Sequence, residues 1–503
     1  MNPIRKLAGQ TAIYGIPSIV GRFVNYLLVP LYTYGLLTQQ EYGVVNLFYS
    51  YIALLMVFLT YGMETAFFRF SETEKDKGLV YSTGFISLIC TSLLFVTLTT
   101  IFSGTVAGWI DYSDHPHYVT WFALIMALDA IAAIPFARLR ALNRPIRFAV
   151  IKLTNIAVYV SFNLFFLLLC PYVFGKVQGT TAESLFRLIY RPDWVIEYIF
   201  IANLLASIST LVMLLPHIMG LSWRIDPELL KKMLRYGLPL MVAGLAGIIN
   251  ETVDRILLRY LLPMTPAEAE AQVGIYSACY KIAVLMVLFI QAYRFAAEPF
   301  FFSQMKNQDA RQMYARVMDY FIIAVTTIFL VSMLYLDTIF IRFTGPEFRS
   351  ARAVIPVLML AKLFLGIYFN LSIWFKLTGK TMWGALITLI GAIITIGLNF
   401  WLIPLSDSWL IHGYLGSAYA TLACYTTMMV IGYLLGQKYY PVPYNLKKFF
   451  GYTGLALLFF GISSQVKPTV WVINVFFDTV LLAIFLTIVW LTERKKAVRP
   501  AHM

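Results

Sequence analysis

Charge is what this sequence has least of. Asp, Glu, Lys and Arg make up 13% of its 503 residues, about half the share of an ordinary soluble domain. A water-soluble chain of this length could bury a large core, but it could not cover its surface with so little charge. Cysteine and histidine are scarce too. Cys90, Cys170, Cys279 and Cys424 all fall inside apolar blocks with no metal-ligand spacing, which leaves no disulfide framework and no thiolate metal centre to read. The histidines, His115, His117, His217, His412 and His502, are scattered. His115 and His117 share a segment with Asp111 and Asp114, read as a chance surface cluster, so no metal site is expected. A long polar segment is also missing. The longest connection between apolar blocks, 175–194, lacks histidine and is too short to hold a catalytic domain.

What the chain does have is long apolar runs. Hydrophobic residues are 60% of it, and the stretches 78–110, 153–175, 198–223 and 381–406 contain no charged residue. About 20 such residues suffice to cross a bilayer as a helix. Inside hydrocarbon each backbone N–H and C=O needs a partner within the segment, so the runs read as helices. The expected spans are 8–34, 44–69, 79–103, 118–139, 148–173, 195–221, 234–262, 273–301, 315–341, 353–376, 381–405, 412–437, 447–465 and 469–491. A short interfacial helix is expected at 184–190. The first residues read as the start of span one rather than a cleavable signal peptide.

Basic residues fix an orientation. One set of span ends carries 26 of the 39 Lys and Arg, from Arg5 and Lys6 through Arg138, Arg140, Arg144 and Arg147 to Arg494, Lys495, Lys496 and Arg499. The opposite ends carry 7: Lys176, Arg187, Arg191, Arg342, Arg349, Arg352 and Lys467. This asymmetry places both termini in the cytoplasm of a multi-pass protein of the cytoplasmic (inner) membrane. It also accounts for the net charge of +14 without nucleic acid as a partner.

Two short matches suggest an internal repeat. Tyr14-Gly15-Ile16-Pro17 in span one returns as Tyr236-Gly237-Leu238-Pro239 in span seven, and Gly43-Val44 leading to Tyr49 returns as Gly274-Ile275 leading to Tyr280. Six spans separate the copies, so both face the same way. The expected fold is therefore an all-α membrane protein of about 14 transmembrane helices, with two parallel six-helix lobes and two further helices. The boundaries are 1–223, 224–440 and 441–503. Parallel repeats of this kind are a common transporter plan.

Asn250-Glu251-Thr252-Val253-Asp254-Arg255-Ile256-Leu257-Leu258, followed by Val273-Gly274-Ile275-Tyr276-Ser277-Ala278-Cys279-Tyr280-Lys281-Ile282, resembles the polysaccharide and oligosaccharide flippases of the multidrug/oligosaccharidyl-lipid/polysaccharide exporter superfamily. Pro30-Leu31-Tyr32-Thr33, Glu41-Tyr42-Gly43 and Arg138-x-x-Ala141-x-x-Arg144 add to the resemblance. It implies two six-helix lobes around a central cavity. It also implies a function, flipping an undecaprenyl-diphosphate-linked oligosaccharide across the membrane, alongside the enzymes of polysaccharide and lipopolysaccharide assembly. No cofactor is implied.

Ionisable residues inside spans cost at least about 2.5 kcal/mol each at a helix centre and so call for a reason. Arg22 lies deep in span one on a stripe with Thr11, Gly15, Ser18 and Tyr26; a stripe of this kind faces the bundle or water. The structural alternative pairs Arg22 with Asp129. Span seven carries Glu251, Asp254, Arg255 and Arg259, with Glu251 spaced to pair with Arg255 at i+4 and Arg259 read as an interfacial anchor. Span eight adds Lys281, placed near its extracytoplasmic end, and Arg294 with Glu298 one turn on. Lys362 in span ten stands alone in the sequence. A diphosphate needs cations at the membrane centre, and the planar fork of arginine holds phosphate oxygens in pairs. Arg22, Arg255, Lys281 and Arg294 are therefore the candidate diphosphate ligands. Glu251, Asp254 and Asp129 are candidates for coupling to H+ or Na+. Pro17 and Pro239 would bend spans one and seven. A cation-coupled multidrug exporter would want an acidic cavity instead; a peptidoglycan-precursor flippase is the other alternative. A polymerase or ligase, with a large extracytoplasmic catalytic loop, does not fit these short connections.

Overall fold

The computed structural model describes residues 3–219, 223–305, 307–407, 413–466 and 470–497. His412 and His502 lie outside them, as do the side chains of Thr11 and Ser18. Among the described residues all regular structure is helical, and twelve helices are long and apolar enough to cross a membrane. That is close to the fourteen expected; helices Pro3–Thr33 and Leu446–Gln465 stand at the other two expected spans.

In chain order the first seven are α1 Pro3–Thr33, α2 Gln39–Thr60 with its continuation Met63–Thr73, α3 Lys77–Ile101, α4 Pro116–Ala141, α5 Pro145–Val177, α6 Val195–Ile218 and α7 Pro227–Leu261. The rest are α8 Pro266–Gln304, α9 Ala310–Leu334, α10 Val354–Leu371 with its continuation Ile373–Leu377, α11 Met382–Leu402, α12 Gly413–Tyr439, α13 Leu446–Gln465 and α14 Trp471–Ala497. A short helix is present at Ala182–Phe186, starting and ending earlier than the expected 184–190. Glu183 there accepts from the Gly179 N–H and pairs with Arg187, which together hold its carboxyl below the ordinary range.

The chain forms two compact units. The first comprises residues 1–28, 35–260 and 264–273; the second comprises 29–34, 261–263 and 274–503. By compactness α7 goes with the first unit, whereas the sequence repeat would open the second lobe at 224. In the first unit α4 packs against α3, α6 and α2, and α6 against α5. In the second, α12 packs against α10 and α11, while α9 packs against α10, α13 and α14. Lys448 of α13 ties three helices of the second unit together, reaching Asp319 of α9 at 2.7 Å and Glu493 of α14 at 2.8 Å.

Span two is not one continuous helix. Tyr61 and Gly62 both take positive φ, 34° and 71°, and break it. The Tyr61 N–H still caps the Val57 carbonyl, and the Tyr61 hydroxyl is 2.7 Å from Ser87 Oγ. The break admits α7 at backbone contact: a Cβ on Gly62 would lie 2.4 Å from the Gly237 carbonyl oxygen, and one on Gly237 would lie 2.8 Å from that of Tyr61. Gly237 belongs to the repeated Tyr-Gly-Leu-Pro, so this glycine serves close packing. α1 and α7 continue through Pro17 and Pro239 without interruption. In α5 the backbone instead widens to a π turn at Phe165–Leu169, just before Pro171, which has no N–H to give the carbonyl four residues back in a regular helix.

Candidate functional site

Five of the seven sequence-predicted site residues lie in the first unit, and four of these come together on α1 and α7. Arg22 sits eleven residues before the end of α1, about 16 Å along the axis at 1.5 Å per residue. Its Nη1 lies 3.9 Å from Glu251 Oε1, and the two side chains are 42% and 43% exposed. Around it Gly15 and Tyr26 are buried, while Gly21 backs onto Ile156 of α5. α1 thus offers Arg22 to α7 from a helix that also leaves Ile16, Phe23 and Leu27 about half exposed.

Arg255 is in a different situation. It is buried, its Nη1 donates to the Glu251 backbone carbonyl at 3.0 Å, and it meets Asp254 Oδ1 at 3.3 Å. Glu251 is therefore the shared partner, through its carboxylate for Arg22 and its main chain for Arg255. The i+4 side-chain pairing of Glu251 with Arg255 is replaced by Asp254–Arg255, and the pairing of Arg22 with Asp129 by Arg22–Glu251. The reason is steric. Arg255 is turned back along its own helix, which leaves the Glu251 carboxylate facing α1.

Asp129 lies elsewhere in the first unit. It accepts from the Ser207 hydroxyl at 2.8 Å and feels the Lys152 ammonium, so it links α4 to α6. Arg138 and Arg140 of the Arg-rich motif are also held by packing. Arg138 stacks over the Tyr81 ring at 4.2 Å and donates to the His217 carbonyl at 3.1 Å. Arg140 pairs with Glu64.

Lys281 and Arg294 belong to the second unit. α8 begins at Pro266, so Lys281 lies fifteen residues, about 22 Å, into a helix of 39. It sits close to the helix midpoint rather than near an end. Thr265 and Glu268 explain the early start. The Thr265 N–H and hydroxyl donate to Glu268 Oε2 at 2.9 and 2.7 Å, and the Glu268 N–H donates back at 3.4 Å. This is a capping box, and the signal Thr265-x-x-Glu268 stands in the sequence. The Arg294 guanidinium lies 3.9 Å over the Phe369 ring, and its i+4 neighbour Glu298 pairs with Lys376. Arg294, Glu298, Lys376 and Asn370 line a cavity of about 20 Å3, room for about one water. Lys362, isolated in the sequence, is fully buried between Tyr280 and Tyr425, with each ring centroid 5.0 Å from its Nζ.

Sequence reasoning missed the most tightly buried charge group of the first unit. Arg259 is not an interfacial anchor. Its side chain is 4% exposed; Nε meets Glu270 Oε1 at 3.1 Å, and Nη2 lies 3.7 Å from Asp111 Oδ2. The Tyr112 hydroxyl donates to Glu270 Oε1 at 2.6 Å and Gln40 Nε2 to Oε2 at 2.9 Å. Burial, then the Glu270 carboxylate, push the Tyr112 phenol up, so it remains a donor at neutral pH. These contacts join the α3–α4 connection and the start of α2 to the end of α7 and the first turns of α8. No spacing in the sequence announces them, because the partners lie up to 230 residues apart.

Helices of this length and apolarity define a multi-spanning membrane protein. Comparison with solved structures agrees. The chain is similar to a structure titled lipid II flippase MurJ, inward closed conformation, at 13% identity and a TM-score of 0.68, covering 97% of this chain and 100% of that one. It is also similar to an inward-facing multidrug resistance MATE family transporter of the MOP superfamily, at 12% identity and a TM-score of 0.60, covering 87% and 94%. A crystal structure of MATE in complex with MaD3S matches at 12% identity and a TM-score of 0.59, covering 86% and 98%. These likenesses establish a shared two-lobed fold. No curated protein matches the sequence. Residues 8–305 match the family described as polysaccharide biosynthesis protein. The chain belongs to that family.

Proposed function

We propose that the protein flips an undecaprenyl-diphosphate-linked oligosaccharide across the cytoplasmic membrane by alternating access. In this reading 1–223 and 224–440 are two six-helix lobes and 441–503 adds two helices and a basic cytoplasmic tail. The observation that supports it is the state of Arg22: a half-exposed guanidinium deep in α1 whose carboxylate partner is 3.9 Å away. An exposed pair at that distance is worth under about 1 kcal/mol. A diphosphate, bidentate and doubly charged, would displace Glu251 from it readily. Arg255, fixed by Asp254 and the Glu251 carbonyl, would add positive potential from a set position. Lys281 and Arg294, in the second unit, stay candidate diphosphate ligands.

Displacement would release the Glu251 carboxylate to take up H+ or Na+, so substrate and coupling ion would influence each other's affinity reciprocally. Asp254 and Asp129 are secondary candidates for that ion. Differential binding of this kind is what lets a ligand bias one conformation over another. A second reading, a peptidoglycan-precursor flippase, is favoured by the end-to-end fit to the MurJ structure. It uses the same lipid-diphosphate chemistry.

The test is transport in proteoliposomes carrying fluorescent lipid-diphosphate oligosaccharide, lipid-diphosphate muropeptide or an organic cation. Movement of the oligosaccharide lipid in preference to the other two is expected. Movement of the organic cation alone would make the protein a drug exporter.

A further inference from the structure

His115 is the N-cap of α4, Pro116 its first residue and His117 its second. In the folded chain Glu197, the third residue of α6, comes to them across 80 residues of sequence. One ligand atom from each of the three lies within 4.8 Å of the others, and His117 Nε2 is 3.7 Å from Glu197 Oε1. We propose that this is a transition-metal site of the Zn2+ class, with three protein ligands and a fourth position open to water.

The donor set suits that class. Two neutral imidazoles and a carboxylate are an established zinc combination with bonds of about 2.0–2.2 Å; calcium and magnesium would want oxygens throughout. Tetrahedral bonds of that length set ligand atoms about 3.3 Å apart, so rotation of the exposed His115 and half-exposed His117 closes the site around an ion. Two further observations point to a ligand. His117 Nε2 is buried and makes no hydrogen bond, a cost that coordination would remove. Glu197 is buried, and its Oε1 accepts from the Tyr118 hydroxyl at 2.9 Å, the outer-sphere bond that orients ligating carboxylates.

The rings also pack against aromatic neighbours. Tyr118 stacks on His115 at 4.9 Å and 8° and meets His117 edge-on at 4.7 Å. Trp121 and Trp194 flank His117 at 5.0 and 6.5 Å. This aromatic wall shields the site on one side while His115 leaves the other open for entry. A bound ion would staple the α3–α4 connection to the first turn of α6. Because the third ligand is so distant in sequence, the histidine pair alone reads as a surface cluster.

The experiment uses the untagged full-length protein in detergent, stripped with chelator and titrated with Zn2+. Metal content after desalting, Co2+ absorption and thermal unfolding are the readouts. Wild type should retain one zinc per chain, show the visible bands of four-coordinate Co2+ and unfold at higher temperature with metal. His115→Ala, at an exposed position that leaves the fold intact, should weaken zinc binding at least tenfold and abolish the stabilisation, as should Glu197→Gln. Tyr118→Phe should weaken binding while preserving stoichiometry; His217→Ala should change nothing. Equal zinc retention in wild type and His115→Ala, or retention by neither, would overturn the proposal and leave a His117–Glu197 ion pair.

Discussion

Substituting Glu270→Gln takes the charge from one side of the buried Arg259–Glu270 pair and leaves the other in place. With both side chains under 7% exposed and Nε 3.1 Å from Oε1, Arg259 would keep only Asp111, at 3.7 Å from a half-exposed carboxylate. Losing one member of a buried pair costs about 3–5 kcal/mol, because the survivor stays desolvated. The Tyr112 hydrogen bond can persist to the amide oxygen, and the Gln40 amide can turn to accept from the new NH2, which puts the expected loss near the lower end, about 3 kcal/mol. Arg259→Met should cost a similar amount by stranding Glu270 beside Tyr112. The double variant removes both charges and should cost much less than the sum, with a coupling energy of up to about 3 kcal/mol. Chemical unfolding of the four proteins in one detergent gives the cycle. Additive losses would refute the reasoning, since they would mean that the two groups do not sense each other.

Three further outcomes are expected. Gly237→Ala would gain helix propensity of about 1 kcal/mol yet should lower stability, because its Cβ would press on the Tyr61 carbonyl and overpacking costs about 1–3 kcal/mol; a raised melting temperature would contradict the close approach of α7 to the break in α2. In a Cys90→Ser background, chosen because Cys90 is exposed, Ser113→Cys should react with impermeant thiol reagent on intact cells and Lys77→Cys should not; the reverse pattern would overturn the proposed topology. In vesicles with imposed H+ or Na+ gradients, Glu251→Gln should lose gradient dependence while retaining downhill flipping, with Asp254→Asn less affected because Asp254 is buried against Arg255; unchanged dependence in both would leave these acids structural.

The helical architecture was legible because a bilayer imposes a length and an apolarity that composition cannot hide: every expected span corresponds to a helix. Breaks and depths were harder. Tyr61–Gly62 sits inside a run read as one span; only the glycine and the charges that follow, Glu64 and Arg69, hinted at the break. Lys281 lies farther from its helix end than expected because α8 was started at its apolar run, when the Thr265–Glu268 capping box opens it earlier. Charges on neighbouring residues gave the composition of the α1–α7 cluster but the wrong pairs, since which side of α7 faces α1 is decided by packing. The Arg259–Glu270 group, the Lys362 cage and the His115–His117–Glu197 constellation were out of reach. Each joins helices that only the folded chain brings together.

The central claim is that Arg22 is the cation a lipid diphosphate binds, and transport by Arg22 variants tests it most directly. Purified wild type, Arg22→Ala and Arg22→Lys would be reconstituted at matched density and assayed for movement of fluorescent undecaprenyl-diphosphate oligosaccharide. Circular dichroism and thermal unfolding would confirm that all three are folded. Arg22 and Glu251 form only a weak exposed pair, so stability should change by less than about 1 kcal/mol. The account predicts that transport is abolished in Arg22→Ala and recovers in part in Arg22→Lys, where a point charge replaces the bidentate fork. Wild-type transport by folded Arg22→Ala would contradict it.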